Sequence, residues 1–187
     1  MLKNDDLAVL FRSVQEDTEG AFAMLFDVVA RPLYAYCFAF TKDMDQAQDL
    51  LQRTMIVVFE KRHQFSDGNV VAWMFTIARN ICRAWERENR RTISLDASQE
   101  LLDGLMQTPD EQHGEGLDND ELEMLNAAIS NLASDYRRVI VLRYFADMTT
   151  EEIAQAEEIS TTLVRVRLYR ARQRLQTVLS PLLRGTS

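Results

Sequence analysis

The stretch MTTEEIAQAEEISTTLVRVRLYRARQRL, residues 148–175, decides the fold of the C-terminal part of the chain. Thr149 or Thr150 stands ahead of Glu152, an arrangement typical of a capping box at the start of a helix. After a short break the remaining residues predict a second, longer helix that continues to about Leu179. Two helices joined by a short turn, the second of them basic, predict a helix-turn-helix.

The second helix of this motif combines one apolar face with a strongly basic surface. Its core-facing residues recur at helical spacing, and they are Val164, Leu168, Ala171, Leu175 and Val178. The five arginines that flank this face have no acid near them within residues 160–175. In a helix-turn-helix the second helix enters the major groove, where arginine bonds guanine or phosphate. The pattern therefore predicts an interface for duplex DNA, and the alternative is a solvated basic face.

The turn between the two helices carries Glu158 where glycine is usual. A residue with a side chain meets a steric cost in the left-handed conformation that such turns adopt. We therefore predict either a strained turn at Glu158 or a turn of a different shape.

The chain has 187 residues and a formal net charge of -8, and its excess acid is concentrated in one segment. Residues 93–120 contain eight acids, no Lys or Arg, and three of the six glycines, which predicts a linker. The linker is either a solvated spacer or an acidic strand that occupies a basic channel in a partner. With few Gly and Pro elsewhere, the sequence predicts an all-α fold of two small helical domains, residues 1–92 and 121–187.

Four helices are predicted in the N-terminal domain, at about 5–14, 19–40, 43–62 and 70–91, with Pro32 expected to kink or split the second. Arginines recur along one side of the fourth helix and predict a basic stripe opposite the core, comprising Arg79, Arg83, Arg87 and Arg90. A basic stripe beside a loop that contains Phe65 is typical of a surface for single-stranded nucleic acid.

Several functional classes lack their usual signals in this sequence. Neither the two Cys nor the two His stand at metal-ligand spacing, and no phosphate-binding glycine loop or nucleophile elbow is present. We therefore predict no enzyme activity, no metal and no cofactor. No apolar run approaches the roughly 20 residues that span a bilayer, and the N-terminus lacks a signal-peptide pattern, so we expect a cytoplasmic protein without a membrane partner.

Three segments resemble a known family. The segments LYAYCFAFTKDMDQAQDLLQRTMIVVFEKRHQF (residues 33–65) and AWMFTIARNICRAW (residues 72–85) resemble region 2 of the extracytoplasmic-function (ECF) sigma factors. The segment from Leu125 to Leu175 resembles their region 4. The two regions stand in the family's order and are joined by a linker, so the resemblance covers nearly the whole chain.

The resemblance implies a promoter-specificity subunit that binds core RNA polymerase and promoter DNA. Region 4 would read the minus-35 element as duplex, through Thr161, Thr162, Arg165, Val166, Arg167, Tyr169 and Arg170. Region 2 would melt the minus-10 element and capture a flipped base, through His63, Phe65, Asn69, Arg79, Asn80, Arg83 and Arg87. The acidic linker would pass through the basic interior of the polymerase.

One departure from the family pattern concerns the third helix, which normally presents acids to a basic surface of the polymerase clamp. The corresponding face here comprises Gln46, Gln48, Asp49, Gln52 and Arg53. Reversed charge at an interface weakens association, so the bare chain is expected to bind polymerase weakly. Phosphorylation by a Ser/Thr kinase would restore negative charge, and Thr54 is the nearest hydroxyl; the competing interpretation is a buried helix threonine.

Two other functions stay open on the sequence. A decoy with a sigma-like fold could sequester an anti-sigma factor, and the missing acids of the third helix would suit it. A stand-alone helix-turn-helix regulator would bind duplex DNA without polymerase, and it would not need the region 2 pattern.

Overall fold

A computed structural model describes residues 4–89, 128–129 and 131–180, and every structural statement below concerns those residues. The predicted linker, residues 93–120, and Arg90 lie outside them. All regular elements in the described residues are helical, which agrees with the predicted all-α fold. The domain boundaries at 1–92 and 121–187 stay a prediction.

Four helices and one short turn build the N-terminal unit, within a few residues of the predicted bounds. They are α1 (Asn4–Gln15), α2 (Ala21–Thr41), α3 (Met44–Glu60), a 3-10 turn (Arg62–Gln64) and α4 (Val70–Asn89). Helix α2 lies at the centre and packs against α1, α3 and α4. Its fully buried Leu25 and Leu33 share one core with Leu50 of α3 and Met74 of α4. This core places α3 and α4 side by side.

Helix α2 continues through Pro32, so the predicted split does not occur. Pro32 is itself buried, and the residues around it belong to the core. By length and composition α2 is the one described helix that could cross a membrane, with a mean hydropathy of 1.3. In the fold it is the central core helix, a position that produces the same apolar composition.

Residues 131–180 of the C-terminal unit contain three helices and a π-helical turn. They are α5 (Ser134–Ile140), the π-helical turn Val141–Phe145, α6 (Thr150–Glu157) and α7 (Thr161–Leu179). The predicted capping box is present, since the Thr149 side chain accepts a hydrogen bond from the Glu152 amide while Glu152 bonds the Thr149 amide. The Ser160 side chain caps α7 in the same way. Buried Ile153 and Val164 hold α6 and α7 together.

The turn between α6 and α7 has the strained geometry that the sequence allowed. Glu158 adopts φ 52° and ψ 48°, the left-handed region that favours glycine. Its amide donates to the carbonyl of Gln155, and the Ile159 amide donates to that of Ala154. These hydrogen bonds satisfy carbonyl groups at the end of α6.

The two units pack on each other. Helix α4 contacts α6, and α2 contacts α5 and the π-helical turn. The guanidinium of Arg138 lies over the Phe40 ring at 4.4 Å, which joins α5 to α2. One connected core therefore runs through both helical units. The packing of the two units on each other determines which of the predicted site residues are exposed to solvent.

Candidate nucleic-acid and polymerase interfaces

Helix α7 presents an outward face that suits a DNA groove. Val164, Leu168 and Ala171 are buried and fix the helix in its unit. Exposed residues cover the opposite side, and they include Thr162, Arg165, Val166, Tyr169 and Arg170. Tyr169 is 62% exposed. Five of the seven residues predicted for the minus-35 element are therefore exposed on one helix, whereas Thr161 and Arg167 are partly buried.

Two open clefts flank α7. The first, of about 410 Å³, is lined by Arg143, Thr149, Thr150, Glu151, Arg165, Leu168, Tyr169 and Arg172. The second, of about 470 Å³, is lined mainly by α5 and α7 and contains Arg167, Arg170 and Arg174. Both clefts concentrate guanidinium groups beside the exposed helix, which favours contact with phosphate.

Sequence reasoning missed two arginines in the first cleft. Arg172 donates from Nε to the Tyr144 hydroxyl at 2.7 Å and lies over that ring. Arg143 donates to the Met148 carbonyl at 2.8 Å and so ties the π-helical turn to the start of α6. No local pattern marks Arg143, because it reaches the cleft only through the fold of the turn that follows it.

Ion pairs orient two arginines of α7. Arg165 lies 3.6 Å from Glu151 at the start of α6, with both side chains exposed. Arg167 lies 2.5 Å from Asp135 at the start of α5. The pair at Arg165 contributes little to stability because it is exposed, so that guanidinium is readily available to DNA.

The loop predicted to capture a base is built on an aromatic cluster. The Phe65 ring lies 5.5 Å from that of Phe11 and 5.4 Å from that of Trp73. The Gln15 side chain donates to the carbonyl groups of Arg62 and Phe65 at 2.7 and 2.8 Å, which fixes the loop to α1. Phe65 is half-buried. His63, by contrast, is exposed on the 3-10 turn.

Asn69 has a structural role at the start of α4. Its Oδ1 accepts hydrogen bonds from the amides of Val71 and Ala72 at 2.9 and 3.1 Å. Its Nδ2 donates to Oε1 of Glu152 at 2.5 Å. Partial burial alone would raise the pKa of Glu152, but the hydrogen bonds from Thr149 and Asn69 outweigh it and lower that pKa.

Arg79 corrects the prediction of a solvent-facing stripe. Its residue surface is only 2% exposed, because the end of α6 and the turn after it cover this part of α4. Its guanidinium donates to the Ala156 carbonyl at 3.2 Å and forms an ion pair with Glu158. Arg83, one turn later, is half-buried and reaches the Glu157 carbonyl at 3.5 Å.

The rest of the stripe meets the prediction in part. Asn80 and Arg87 are exposed on α4. The seven residues predicted for the minus-10 element therefore fall into two groups. His63, Phe65, Asn80 and Arg87 are accessible at least in part, whereas Asn69, Arg79 and Arg83 contact α6 or the turn that follows it.

A buried polar network connects the two units beside this contact. Glu157 is fully buried, accepts a hydrogen bond from the Tyr36 hydroxyl and lies 3.1 Å from Arg138 Nε. Arg138 also donates to Asp135 at 2.5 Å, and Asp135 pairs with Arg167 of α7. Burial and the adjacent Glu157 carboxylate raise the pKa of Tyr36 well above its usual value, which keeps the phenol protonated as a donor.

The predicted polymerase face lies on the outer side of α3. Gln46, Gln48, Gln52 and Arg53 are exposed, and Asp49 is half-buried. Gln46 Oε1 accepts a hydrogen bond from the Trp85 indole at 2.9 Å. Two large apolar residues, Ile56 and Phe59, are exposed further along α3. Sequence reasoning did not include these two, although exposed apolar side chains are common at protein interfaces.

Thr54 is enclosed in the core. Its side chain has 0% exposure, and its hydroxyl donates to the Leu50 carbonyl at 2.7 Å. A kinase cannot reach this hydroxyl in the folded helix. The placement therefore weighs against Thr54 as a phosphate acceptor and favours the interpretation of a buried helix threonine.

The described residues contain no group of three or more His, Cys, Asp or Glu side chains that could hold a metal ion.

Two family models match the chain. Sigma-70 region 2 matches residues 25–92, and Sigma-70 region 4 matches residues 122–175. The first covers most of α2, α3, the loop before α4 and α4, and the second covers α5, α6 and most of α7.

Known proteins similar to this chain include two sigma factors that it spans almost completely. ECF RNA polymerase sigma factor SigM of Bacillus subtilis is 28% identical over 156 residues, or 82% of this chain and 92% of SigM. RNA polymerase sigma-H factor of Pseudomonas aeruginosa is 27% identical over 191 residues, or 98% of this chain and 99% of that protein.

Two solved structures are similar in fold. CnrH in complex with the cytosolic domain of CnrY superposes with a TM-score of 0.59 at 22% identity, covering 96% of this chain and 97% of CnrH. The sigma factor RpoE in complex with the anti-sigma factor NepR from Bartonella quintana superposes with a TM-score of 0.61 at 26% identity, covering 86% and 98%.

Proposed function

Because the chain belongs to the ECF sigma factors of bacterial RNA polymerase, we propose that it binds the core enzyme and directs promoter-specific initiation of transcription. The observation that carries this proposal is the outward face of α7. Val166, Tyr169 and Arg170 are exposed there, while a buried apolar face holds the helix in a helix-turn-helix. A helix presented in this way is suited to base edges in a major groove. We propose it as the reader of the minus-35 element.

The minus-10 element is proposed to bind at α4 and the loop before it. Phe65 is backed by the rings of Phe11 and Trp73, which gives an unstacked base a rigid aromatic surface. Arg87 and Asn80 are exposed nearby on α4. Charge along the helix would follow the backbone of the single strand, while the loop receives the base.

Polymerase is proposed to meet the outer face of α3, with Ile56 and Phe59 as its apolar part. The face lacks most of the acids that the family normally presents to a basic surface of the clamp. We therefore propose weak affinity in the bare form and activation by added negative charge. Thr54 is the one hydroxyl within α3, so phosphorylation there would require this part of the helix to open.

An anti-sigma factor is the second proposed partner. RpoE, similar over 86% of this chain, was solved with an anti-sigma factor bound. Such a partner would act where polymerase and DNA are found, in the cytoplasm. The decoy and the stand-alone regulator differ from this proposal in one respect that can be measured, which is the dependence of activity on core polymerase.

Transcription in vitro tests the proposed function. Bacterial core polymerase is combined with the chain and a library of promoter fragments, and the transcripts are sequenced. The Arg165→Ala/Arg170→Ala variant should lower initiation at selected promoters about 30-fold or more, since each of the two lost base contacts costs roughly 1–3 kcal/mol. Binding to core polymerase should not change. Arg12→Ala, an exposed arginine of α1, is the control with a matched type of substitution.

The same experiment separates the alternatives. If the chain binds no core polymerase but captures an anti-sigma factor, it is a decoy. If it binds duplex DNA specifically and polymerase adds nothing, it is a stand-alone regulator. Promoter-specific transcripts that require both proteins support the sigma function.

A further inference from the structure

Three of the residues proposed for minus-10 DNA are occupied by acceptors from the C-terminal unit. Arg79 bonds the Ala156 carbonyl and pairs with Glu158. Arg83 reaches the Glu157 carbonyl, and its Nη1 lies 3.9 Å from Glu158. Asn69 donates to Glu152. DNA phosphate would require the guanidinium of Arg79, whose side chain is only 2% exposed, so this packing and bound DNA exclude each other at that position. The Arg83 side chain, 38% exposed, is engaged only in part.

Glu158 itself is unusual in two ways. It occupies the left-handed region with φ 52°, where glycine would avoid the steric cost. Its side chain is 66% exposed, yet its carboxylate forms an ion pair with Arg79, whose side chain is almost fully buried. Glu158 therefore adopts a strained backbone conformation, and its carboxylate is the one that Arg79 contacts in the described part of the chain.

The neighbouring Glu157 connects the same turn to the other DNA-binding element. It bonds Tyr36 of α2 and Arg138 of α5. Through Asp135, this network reaches Arg167 of the recognition helix. The acidic turn thus joins the minus-10 helix and the minus-35 helix in one packed arrangement.

We propose that this acidic turn, Glu157 and Glu158, is an autoinhibitory contact that withholds Arg79, and in part Arg83, from minus-10 DNA until the two helical units separate. The inference rests on the proposed function for the role of Arg79 and Arg83 in DNA binding. In the closed molecule α7 keeps its exposed reading face, whereas Arg79 of α4 is covered and Arg83 is covered in part, with Asn80 and Arg87 still exposed. The closed form can therefore meet duplex DNA, but Arg79 cannot contact a melted strand until the cover is removed.

Removing one partner of a buried ion pair leaves an uncompensated charge, which favours any state that exposes it to water. Without Glu158, the guanidinium of Arg79 would lose its carboxylate while it stays buried. The open state then gains population, because the closed state alone loses the interaction. Glu158→Gly also removes the backbone strain, because glycine favours the left-handed conformation of this turn. If that variant opens, the cause is therefore the lost carboxylate and not a turn that fails to form.

The chain offers a matched control at Asp147. This exposed aspartate also has a positive φ, of 50°, and lies in the loop before α6 rather than at the contact with α4. Asp147→Gly removes the same charge from the same helical unit and relieves the same type of strain. A nonspecific gain in DNA affinity from lost negative charge would therefore occur in both variants.

The experiment measures the distance between the two units and the affinity for DNA. Fluorophores are placed at Asp27→Cys on α2 and Gln176→Cys on α7, both exposed, while the native Cys37 and Cys82 are buried. Energy transfer is compared among the full-length wild-type chain, Glu158→Gly, Glu158→Gln and Asp147→Gly. The probe for binding is a fluorescent single-stranded DNA of on the order of 12 nucleotides.

Both Glu158 variants should lose energy transfer and bind the single strand about tenfold more tightly, a change expected from a shifted open population. Asp147→Gly should match the wild type in both measurements. If the two Glu158 variants stay folded by circular dichroism but keep the wild-type distance, the inference is wrong. It is also wrong if they open without a gain in affinity. Glu158→Gln, which keeps the size of the side chain, decides the matter should Glu158→Gly unfold.

These readouts need no polymerase. A failure of promoter-specific transcription would count against the proposed function, and the energy-transfer distances would still decide whether Glu158 holds the units together.

Discussion

Arg53 Nη2 lies 2.8 Å from Asp49 Oδ2, one helical turn earlier on α3. Asp49 is the one carboxylate among the five residues predicted to face polymerase, and it is already paired within its own helix. The side chains of Arg53 and Asp49 are 58% and 44% exposed, so the pair adds little to the stability of the fold. Its main effect is on the electrostatic potential of the face, from which it removes the remaining negative charge.

The first prediction concerns this face. Gln48→Glu/Arg53→Glu should tighten binding to core polymerase about tenfold, which corresponds to about 1.4 kcal/mol, because it restores charge opposite a basic surface. Fluorescence anisotropy of the labelled chain with core polymerase measures the affinity. Arg12→Glu/Gln176→Glu makes the same charge change at exposed positions elsewhere and should leave the affinity unchanged. Equal affinity of the wild type and the α3 variant would show that charge on this face does not limit binding.

The second prediction concerns Thr54. Thr54→Glu should lower the free energy of unfolding by about 3 kcal/mol or more, because it places an unpaired carboxylate in the core. Thr54→Val should cost only about 1 kcal/mol, since it loses the hydrogen bond to Leu50 but keeps the shape of the side chain. Urea denaturation followed by circular dichroism measures both. A Thr54→Glu variant that is as stable as the wild type and binds polymerase more tightly would restore phosphorylation at Thr54 as the activating step.

Local sequence patterns predicted most of the fold, because helix caps, helix faces and turns depend on residues that are close together in sequence. The capping box at Thr149 and Glu152 and the strained turn at Glu158 are confirmed. The predicted apolar face of α7 is confirmed in its first three residues, which are buried, whereas Val178 is 51% exposed because the end of the helix extends beyond the core. Pro32 shows the limit of such rules. A proline inside a helix costs about 3 kcal/mol or more, yet α2 continues through it as the central helix of a shared core.

Long-range packing explains what the sequence did not predict. Arg79 stands on the side of α4 away from the N-terminal core, so helical periodicity placed it in solvent. What covers it is Ala156 and Glu158, nearly eighty residues later in the chain. Arg143 likewise lines the cleft beside α7 only because the fold of the π-helical turn places it there. No spacing rule connects segments that meet only after both units have folded.

The third prediction concerns the buried hydrogen bond between Tyr36 and Glu157. Tyr36→Phe should lower the free energy of unfolding by about 1–3 kcal/mol, because it leaves one buried carboxylate oxygen without its phenol donor. Tyr34→Phe, on the same helix, is the control, since its hydroxyl has no hydrogen bond to another described residue. The urea midpoint should fall for Tyr36→Phe at an unchanged m value. Equal midpoints for the two variants would show that this hydrogen bond adds nothing to the packing of α2 on α6.

The fourth prediction is that acid opens the contact between α4 and α6. The hydrogen bond and charge of Arg79 lower the pKa of Glu158, and hydrogen bonds from Thr149 and Asn69 outweigh burial and lower that of Glu152. Both pKa values lie below the ordinary 4.5. A carboxylate whose pKa is lowered in the packed state stabilises that state above its ordinary pKa, and the stabilisation is lost as the pH falls through the lowered value.

Energy transfer between the labels at positions 27 and 176 should therefore stay constant from pH 7 to about pH 5 and fall below about pH 4.5. Far-ultraviolet circular dichroism at each pH separates opening from unfolding of the helices. In Glu152→Gln/Glu158→Gln neither titrating carboxylate remains, so its energy transfer should be lower at pH 7 and nearly independent of pH down to 4. If the wild type and the double variant lose energy transfer in parallel on acidification, other carboxylates hold the two units together, and the contact at Arg79 does not control their separation.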